Sequence, residues 1–200
     1  MIHSKLKQQT SAQHLALESK LHVLMSDDIS LNEYAALLKR FHGFYRPIEA
    51  TLGAIHNWDD PVLELQSRRK LPLLVADLNF LSVDAGEIAT LPACADLPPL
   101  ATIADGLGCL YVLEGSTLGG TFITRHLTKA LSLEANRGCS FFNSYGSDVG
   151  RMWSGFLGVL ARHSEKHGDD TAVVNSACAT FAAMDRWLGG CLDRWFPDAA

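Results

Sequence analysis

At 200 residues the chain is long enough for one sizeable hydrophobic core and short for two, so a single domain over residues 1–200 is expected. A composition of 48% apolar and 20% charged residues with a formal net charge of -5 describes an ordinary globular protein and argues against a nucleic-acid partner, which needs clustered excess Lys and Arg. The N-terminus lacks the apolar core of a secretory signal, and no uncharged apolar stretch reaches the roughly 18 residues of a membrane span, so a cytoplasmic protein with no membrane partner is expected.

Leucine and alanine outnumber valine and isoleucine, and apolar residues recur at helical rather than alternating spacing, which predicts an all-α fold. The first helix is expected from about Ser4 to Met25, with Leu6, Leu17, Leu21 and Leu24 in the core and "SDDIS" closing it. A second starts at Leu31 and carries Pro47. Its ring removes a hydrogen bond and crowds the preceding turn, predicting a kink or break near Tyr45. "DDPVLEL" opens a new segment, with Pro61 suited to a first helical turn. "SRRKLPLLVADLNFL" gives a short helix, and residues 84–99, with Gly86, Pro92, Pro98 and Pro99, read as the longest loop. A glycine-bearing helix follows from Leu100 to about Leu131. "EANRGCSFFNSYGSD" is a second loop, its Ser147 or Asp148 placed to cap the helix of "VGRMWSGFLGVLARHSE". A last helix runs from about Thr171 to Trp195, before "FPDAA".

Five cysteines, Cys94, Cys109, Cys139, Cys178 and Cys191, are odd in number, scattered and never spaced as CxxC. That disfavours a disulfide framework, a zinc site and covalent haem attachment, leaving separate thiols in packed helices.

"EGSTLGG" sets Gly115, Gly119 and Gly120 inside a helix, where each glycine costs roughly 1 kcal/mol relative to alanine. A membrane GxxxG motif is disfavoured by Glu114 and Arg125, which interrupt the apolar stretch. A phosphate loop would need a preceding strand and either GxGxxG or a following lysine. Two explanations remain open: bare backbone lies against a large flat ligand, or it packs tightly against another helix. In the first helix, His14 and Glu18 are one turn apart on one face, and Lys7 precedes His14 by almost two turns. A metal-ligating histidine commonly gives its other ring N–H to a carboxylate, and Lys7 is placed to meet a carboxylate of the ligand. Each residue alone also fits a plain solvated helix face.

Taken together, "TSAQHLALESKL" and "YVLEGSTLGG" resemble the haem oxygenases, particularly the bacterial group accompanying bacteriophytochromes, over nearly the whole chain. The resemblance implies haem held between a proximal N-terminal helix and a kinked, glycine-rich distal helix. It implies His14 as the axial iron ligand with Glu18 behind it, and Gly115, Ser116, Gly119 and Gly120 over the distal face. Lys7 and Tyr111 are implied as propionate partners, Tyr145, Trp153 and Phe156 as pocket lining, and Arg125, Arg151 and His126 as weaker candidates for propionate or water contacts. The implied reaction cleaves haem b, both cofactor and substrate, at a meso carbon, alpha expected, to biliverdin, carbon monoxide and ferrous iron. It uses O2 and electrons from an external reductase or ferredoxin, and chromophore supply to a bacteriophytochrome is the implied use. Ser116 stands where animal members carry an aspartate that organises water, and bacterial members commonly share the serine. The competing readings are a haem carrier or sensor without turnover, a thiaminase-like helical enzyme, and a carboxylate-bridged di-iron protein. The last needs Glu-x-x-His sets on several helices, whereas the stretch from Glu114 reaches Thr117 at that spacing.

Overall fold

The computed structural model describes residues 1–58, 60 and 63–195, with backbone alone over 190–195. Pro61 and "FPDAA" lie outside the described residues, as does the side chain of Cys191. Eight α-helices account for the fold among those residues: α1 (Ile2–Leu21), α2 (Leu31–Ala54), α3 (Leu71–Phe80), α4 (Ala85–Thr90), α5 (Ile103–Ala130), α6 (Ser140–Asn143), α7 (Val149–His167) and α8 (Asp170–Trp195). The all-α expectation is met. No helix of the described residues is long and apolar enough to cross a membrane.

The first expected helix is divided. α1 stops at Leu21, and a 3-10 turn over His22–Met25 finishes the segment. Leu6, Leu17 and Leu24 are buried as expected, while Leu21 is partly buried against the core. α2 begins with a capping box in which the Ser30 hydroxyl accepts from the Glu33 N–H and the Glu33 carboxylate accepts from the Ser30 N–H, satisfying two otherwise orphaned donors.

Of the kink or break expected near Tyr45, a break does not occur: α2 stays helical through Pro47 to Ala54. Pro47 deprives the Gly43 carbonyl of its intrahelical donor, but the backbone N–H of Cys94 reaches in to replace it at 2.9 Å. Arg46 Nη2 ties the same incoming strand of chain to α2 through the Leu91 carbonyl, at 2.9 Å.

That incoming segment is the expected long loop, and it too departs from expectation, because residues 85–90 form α4. Asp84 accepts from the N–H groups of Gly86 and Glu87, an N-cap sufficient to start a short helix. The second expected loop holds α6, whose Ser140 and Phe141 N–H groups donate at 2.9 and 2.8 Å to the fully buried Asp77 carboxylate of α3. At the start of α7, Asp148 occupies the cap position without capping, its carboxylate accepting from Arg151 Nη2 at 2.9 Å instead.

α5 packs along α8, α8 along α1, and α2 along α3, around a core that includes Leu6, Leu38, Phe44, Ile48, Leu74, Phe156 and Leu188. Cys94, Cys109, Cys139 and Cys178 are free thiols. Burial pushes the Cys109 thiol up to about 12 and Cys139 up to about 11.

Candidate functional site

His14, Leu17 and Leu21 follow at helical spacing and form a stripe on α1. Leu17 and Leu21 line a cavity of about 80 Å³ whose other wall is Ser116, Thr117 and Gly120 of α5, with Tyr45 of α2 and Lys70 closing it behind. His14 lies one turn further out along the stripe, with 58% of its side chain exposed. Its ring meets Phe181 of α8 edge-on at 6.0 Å, and its Nδ1 faces Glu18 Oε2 at 3.7 Å. With the carboxylate on the Nδ1 side, Nε2 is the nitrogen left to ligate a metal. Lys7, further along the helix, is exposed.

The three motif glycines have different reasons to be glycine. A Cβ on Gly120 would stand 2.1 Å from the Phe142 carbonyl oxygen, so only a bare Cα lets α6 sit against α5. A Cβ on Gly119 would meet nothing within 4 Å, and one on Gly115 only the Trp153 ring edge at 3.7 Å. Near Gly119, Leu118 is 42% and Phe122 68% exposed, so this stretch of α5 presents an open, apolar surface. Tight packing thus explains Gly120, whereas Gly119 faces open space. In the haem-free protein, Gly120→Ala should cost about 1–3 kcal/mol through overpacking, whereas Gly119→Ala should match or exceed wild type through helix propensity. Paired thermal melts check this; equal losses would contradict the division.

The remaining expected residues scatter. Ser116 is exposed, donates to the Leu113 carbonyl at 2.8 Å and shares a side-chain hydrogen bond with buried Tyr45. Burial raises the Tyr45 phenol well above its ordinary range, and the Ser116 contact opposes this. Tyr111 is partly buried and belongs to a cluster with His3 and Trp153, the Tyr111 and Trp153 rings lying 5.7 Å apart. Burial raises Tyr111, and a hydrogen bond with Thr10 of α1 opposes it. Phe156, expected to line a pocket, is instead fully buried in the core beneath Trp153. His126 is also committed elsewhere, its Nε2 donating to the Ser26 carbonyl at 2.9 Å. Arg151 is paired with Asp148. Arg125 is exposed on α5.

Tyr145, the other expected lining residue, faces a buried polar cluster that sequence reading missed. Its hydroxyl donates to Glu114 Oε1 at 2.7 Å and accepts from Lys70 Nζ at 2.5 Å. Glu114 Oε2 is ion-paired with Arg68 Nη1. Burial lowers Lys70 from its ordinary value, with Glu114 pulling it back up, and burial raises Tyr145. The available signal was a lone carboxylate in an otherwise apolar run, "LYVLEGS", and a basic triplet in "SRRKLP", since buried charge requires a partner.

Comparison with known proteins shows which family the chain falls in. The family model described as "Heme oxygenase" matches residues 1–189. A haem oxygenase of Xanthomonas campestris is 30% identical over 166 residues, 81% of this chain and 92% of that protein. Among solved structures, the NO- and CO-bound haem oxygenase of Neisseria meningitidis superposes with a TM-score of 0.75 at 19% identity, covering 94% of this chain and 92% of that one. The haem oxygenase of Leptospira interrogans gives 0.73 at 17%, covering 94% and 98%. A haem oxygenase from the cyanobacterium Synechocystis in complex with haem gives 0.72 at 15%, covering 96% and 94%. With the family match spanning nearly the whole chain and the fold shared across these structures, the chain belongs to the haem oxygenase family.

Proposed function

We propose that the chain, working as one domain over residues 1–200, binds haem b in the cleft between α1 and α5 and cleaves it to biliverdin, carbon monoxide and ferrous iron. O2 and electrons from an external reductase or ferredoxin are the co-reactants. The observation that carries this reading is an exposed imidazole backed by a carboxylate on α1, one turn from the cavity that Leu17 and Leu21 share with Ser116, Thr117 and Gly120, on an α5 that also leaves its backbone open at Gly119 beside exposed Leu118 and Phe122. These residues fit haem. A porphyrin needs one axial nitrogen, a flat apolar surface, and solvent access for its propionates.

Haem, when bound, supplies the iron that activates O2 and the ring that is opened. His14 would hold the iron through Nε2, and a neutral imidazole would lack the electron push by which a thiolate favours O–O cleavage. Glu18 keeps the Nδ1 proton on the far side of the ring and raises ligand basicity. Gly119 and Gly115 would let the α5 backbone come close to the bound ring, and the exposed Leu118 and Phe122 would cover apolar surface and exclude water from it. Ser116 and Tyr45, hydrogen-bonded to each other and lining the same cavity, would hold a proton there.

Lys7 is the proposed propionate partner. An exposed ion pair contributes about 0.2–1 kcal/mol, so Lys7→Ala should weaken haem binding a few-fold and shift the biliverdin isomer ratio. Unchanged affinity and unchanged isomers would remove it from the site. Attack at the alpha carbon and delivery to a bacteriophytochrome are supported by the motif resemblance, and cytoplasmic location by the free thiols.

The test is an optical titration with one equivalent of haem, followed under air with ascorbate or ferredoxin and its reductase. A histidine-ligated Soret band that gives way to biliverdin absorbance supports the oxygenase. Haem that persists favours a carrier or sensor.

A further inference from the structure

Behind α5, two buried cations face one buried carboxylate. The Arg68 and Lys70 side chains are each 3% exposed and that of Glu114 is 2% exposed. Glu114 is neutralised by Arg68, which also donates from Nε to the Leu63 carbonyl at 2.6 Å. The nearby carboxylate of Glu49 pairs with Arg69 at 3.2 Å and accepts from the backbone N–H groups of Lys70 and Leu71. Three cations therefore meet two carboxylates: Arg68 and Lys70 share Glu114, which leaves one positive charge in surplus.

Lys70 is held as an ammonium by geometry. Its Nζ donates to Tyr145 Oη at 2.5 Å, to the Arg68 carbonyl at 2.7 Å and to Glu114 Oε1 at 3.4 Å, which uses all three protons of the charged form. The same side chain lines the cavity shared with Ser116, Thr117 and Gly120. On its other side is a second cavity of about 210 Å³, bordered by Glu49, Arg68 and Glu114. Its charge therefore acts across a poorly solvated wall, where Coulomb interactions are stronger than in water.

We propose that Lys70 is the distal-pocket cation of this chain: its surplus charge makes the space beneath α5 prefer anionic over neutral small ligands. In that role it complements Ser116, an uncharged residue in the distal motif, by supplying charge from behind the helix. Lys70 acts at a distance from the ligand and is a positioning residue rather than a catalytic one. The inference rests on the proposal that haem binds between α1 and α5.

The test uses the full chain in its ferric haem complex, titrated with azide as the anion and imidazole as the neutral ligand. Lys70→Met should weaken azide on the order of tenfold and leave imidazole within about twofold, because removing the surplus charge removes an attraction felt by the anion and not by the neutral ring. Lys70→Gln should do the same, while Tyr145→Phe, which keeps the charge, should leave the azide-to-imidazole ratio unchanged. Equal changes for both ligands, or an unchanged azide affinity, would overturn the proposal. So would failure of both neutral Lys70 variants to fold, which would assign the residue to stability. A wild-type chain that forms no histidine-ligated complex would instead sink the haem-site reading beneath it.

Discussion

Replacing His14 with alanine should give a protein that folds normally and no longer converts haem to biliverdin. The fold should survive because the side chain is 58% exposed and its contacts are an edge-on ring at 6.0 Å and a carboxylate at 3.7 Å. Surface substitutions of that kind usually stay within about 0.5 kcal/mol, and alanine is the better helix former. Turnover should fall on the order of 100-fold or more, since even the residues behind a metal ligand cost about 10- to 100-fold when removed. The check is a pair of measurements on one preparation: far-UV melting of the haem-free chain, and biliverdin absorbance after reductant and air. Normal turnover with haem loaded would exclude His14 as the ligand. Added imidazole that restores a six-coordinate spectrum and part of the activity would place the loss at the axial nitrogen. Glu18→Gln should give a milder version, with haem retained and turnover reduced.

The pairing of His14 with Glu18 was legible in the sequence because it is local: a histidine and a glutamate one turn apart need only a helix to be brought together. The long helices were legible for the same reason, each carrying its own apolar period and, at Ser30 and Asp84, its own capping side chain. What sequence reading missed depends on residues far apart in the chain. α2 continues through Pro47 because Cys94, on a segment beyond two further helices, supplies the missing donor. α6 forms where a loop was expected because Asp77, 63 residues before its first helical residue, caps it from α3. Gly119 and Gly120 are adjacent and chemically identical, and only the position of Phe142 separates the packing glycine from the open one.

The polar cluster is the sharpest case, since "SRRKLP" gives no sign of which basic residue turns inward. Arg68 and Lys70 are buried and Arg69 is exposed, and Glu114 is reached across 46 and 44 positions of chain. Tyr145, expected at the ligand, is drawn to the same carboxylate. Aromatic composition alone could not separate it from Trp153, which stands beside Gly115, or from Phe156, which is core.

Glu114→Ala should be the most destabilising single change in the distal helix. It would leave Arg68 and Lys70 buried with no carboxylate between them and the Tyr145 hydroxyl without its acceptor. Removing one partner from a buried ion pair typically costs about 3–5 kcal/mol, a large part of the roughly 5–15 kcal/mol that holds a domain folded. Urea denaturation of the haem-free chain measures it directly. Lys70→Met provides the contrast: it removes the surplus cation, leaves Arg68 and Glu114 balanced, and should cost far less. Similar losses in the two variants would show that packing rather than charge balance dominates, and a loss below about 1 kcal/mol for Glu114→Ala would mean that water reaches the cations. The consequence for the site follows from spacing. Glu114 precedes Ser116 by two residues, so the carboxylate that neutralises Arg68 also anchors the turn of α5 whose other side carries Ser116 and Gly120 to the cavity. Glu114→Ala should therefore lower haem affinity along with stability, although the side chain faces away from the proposed haem face.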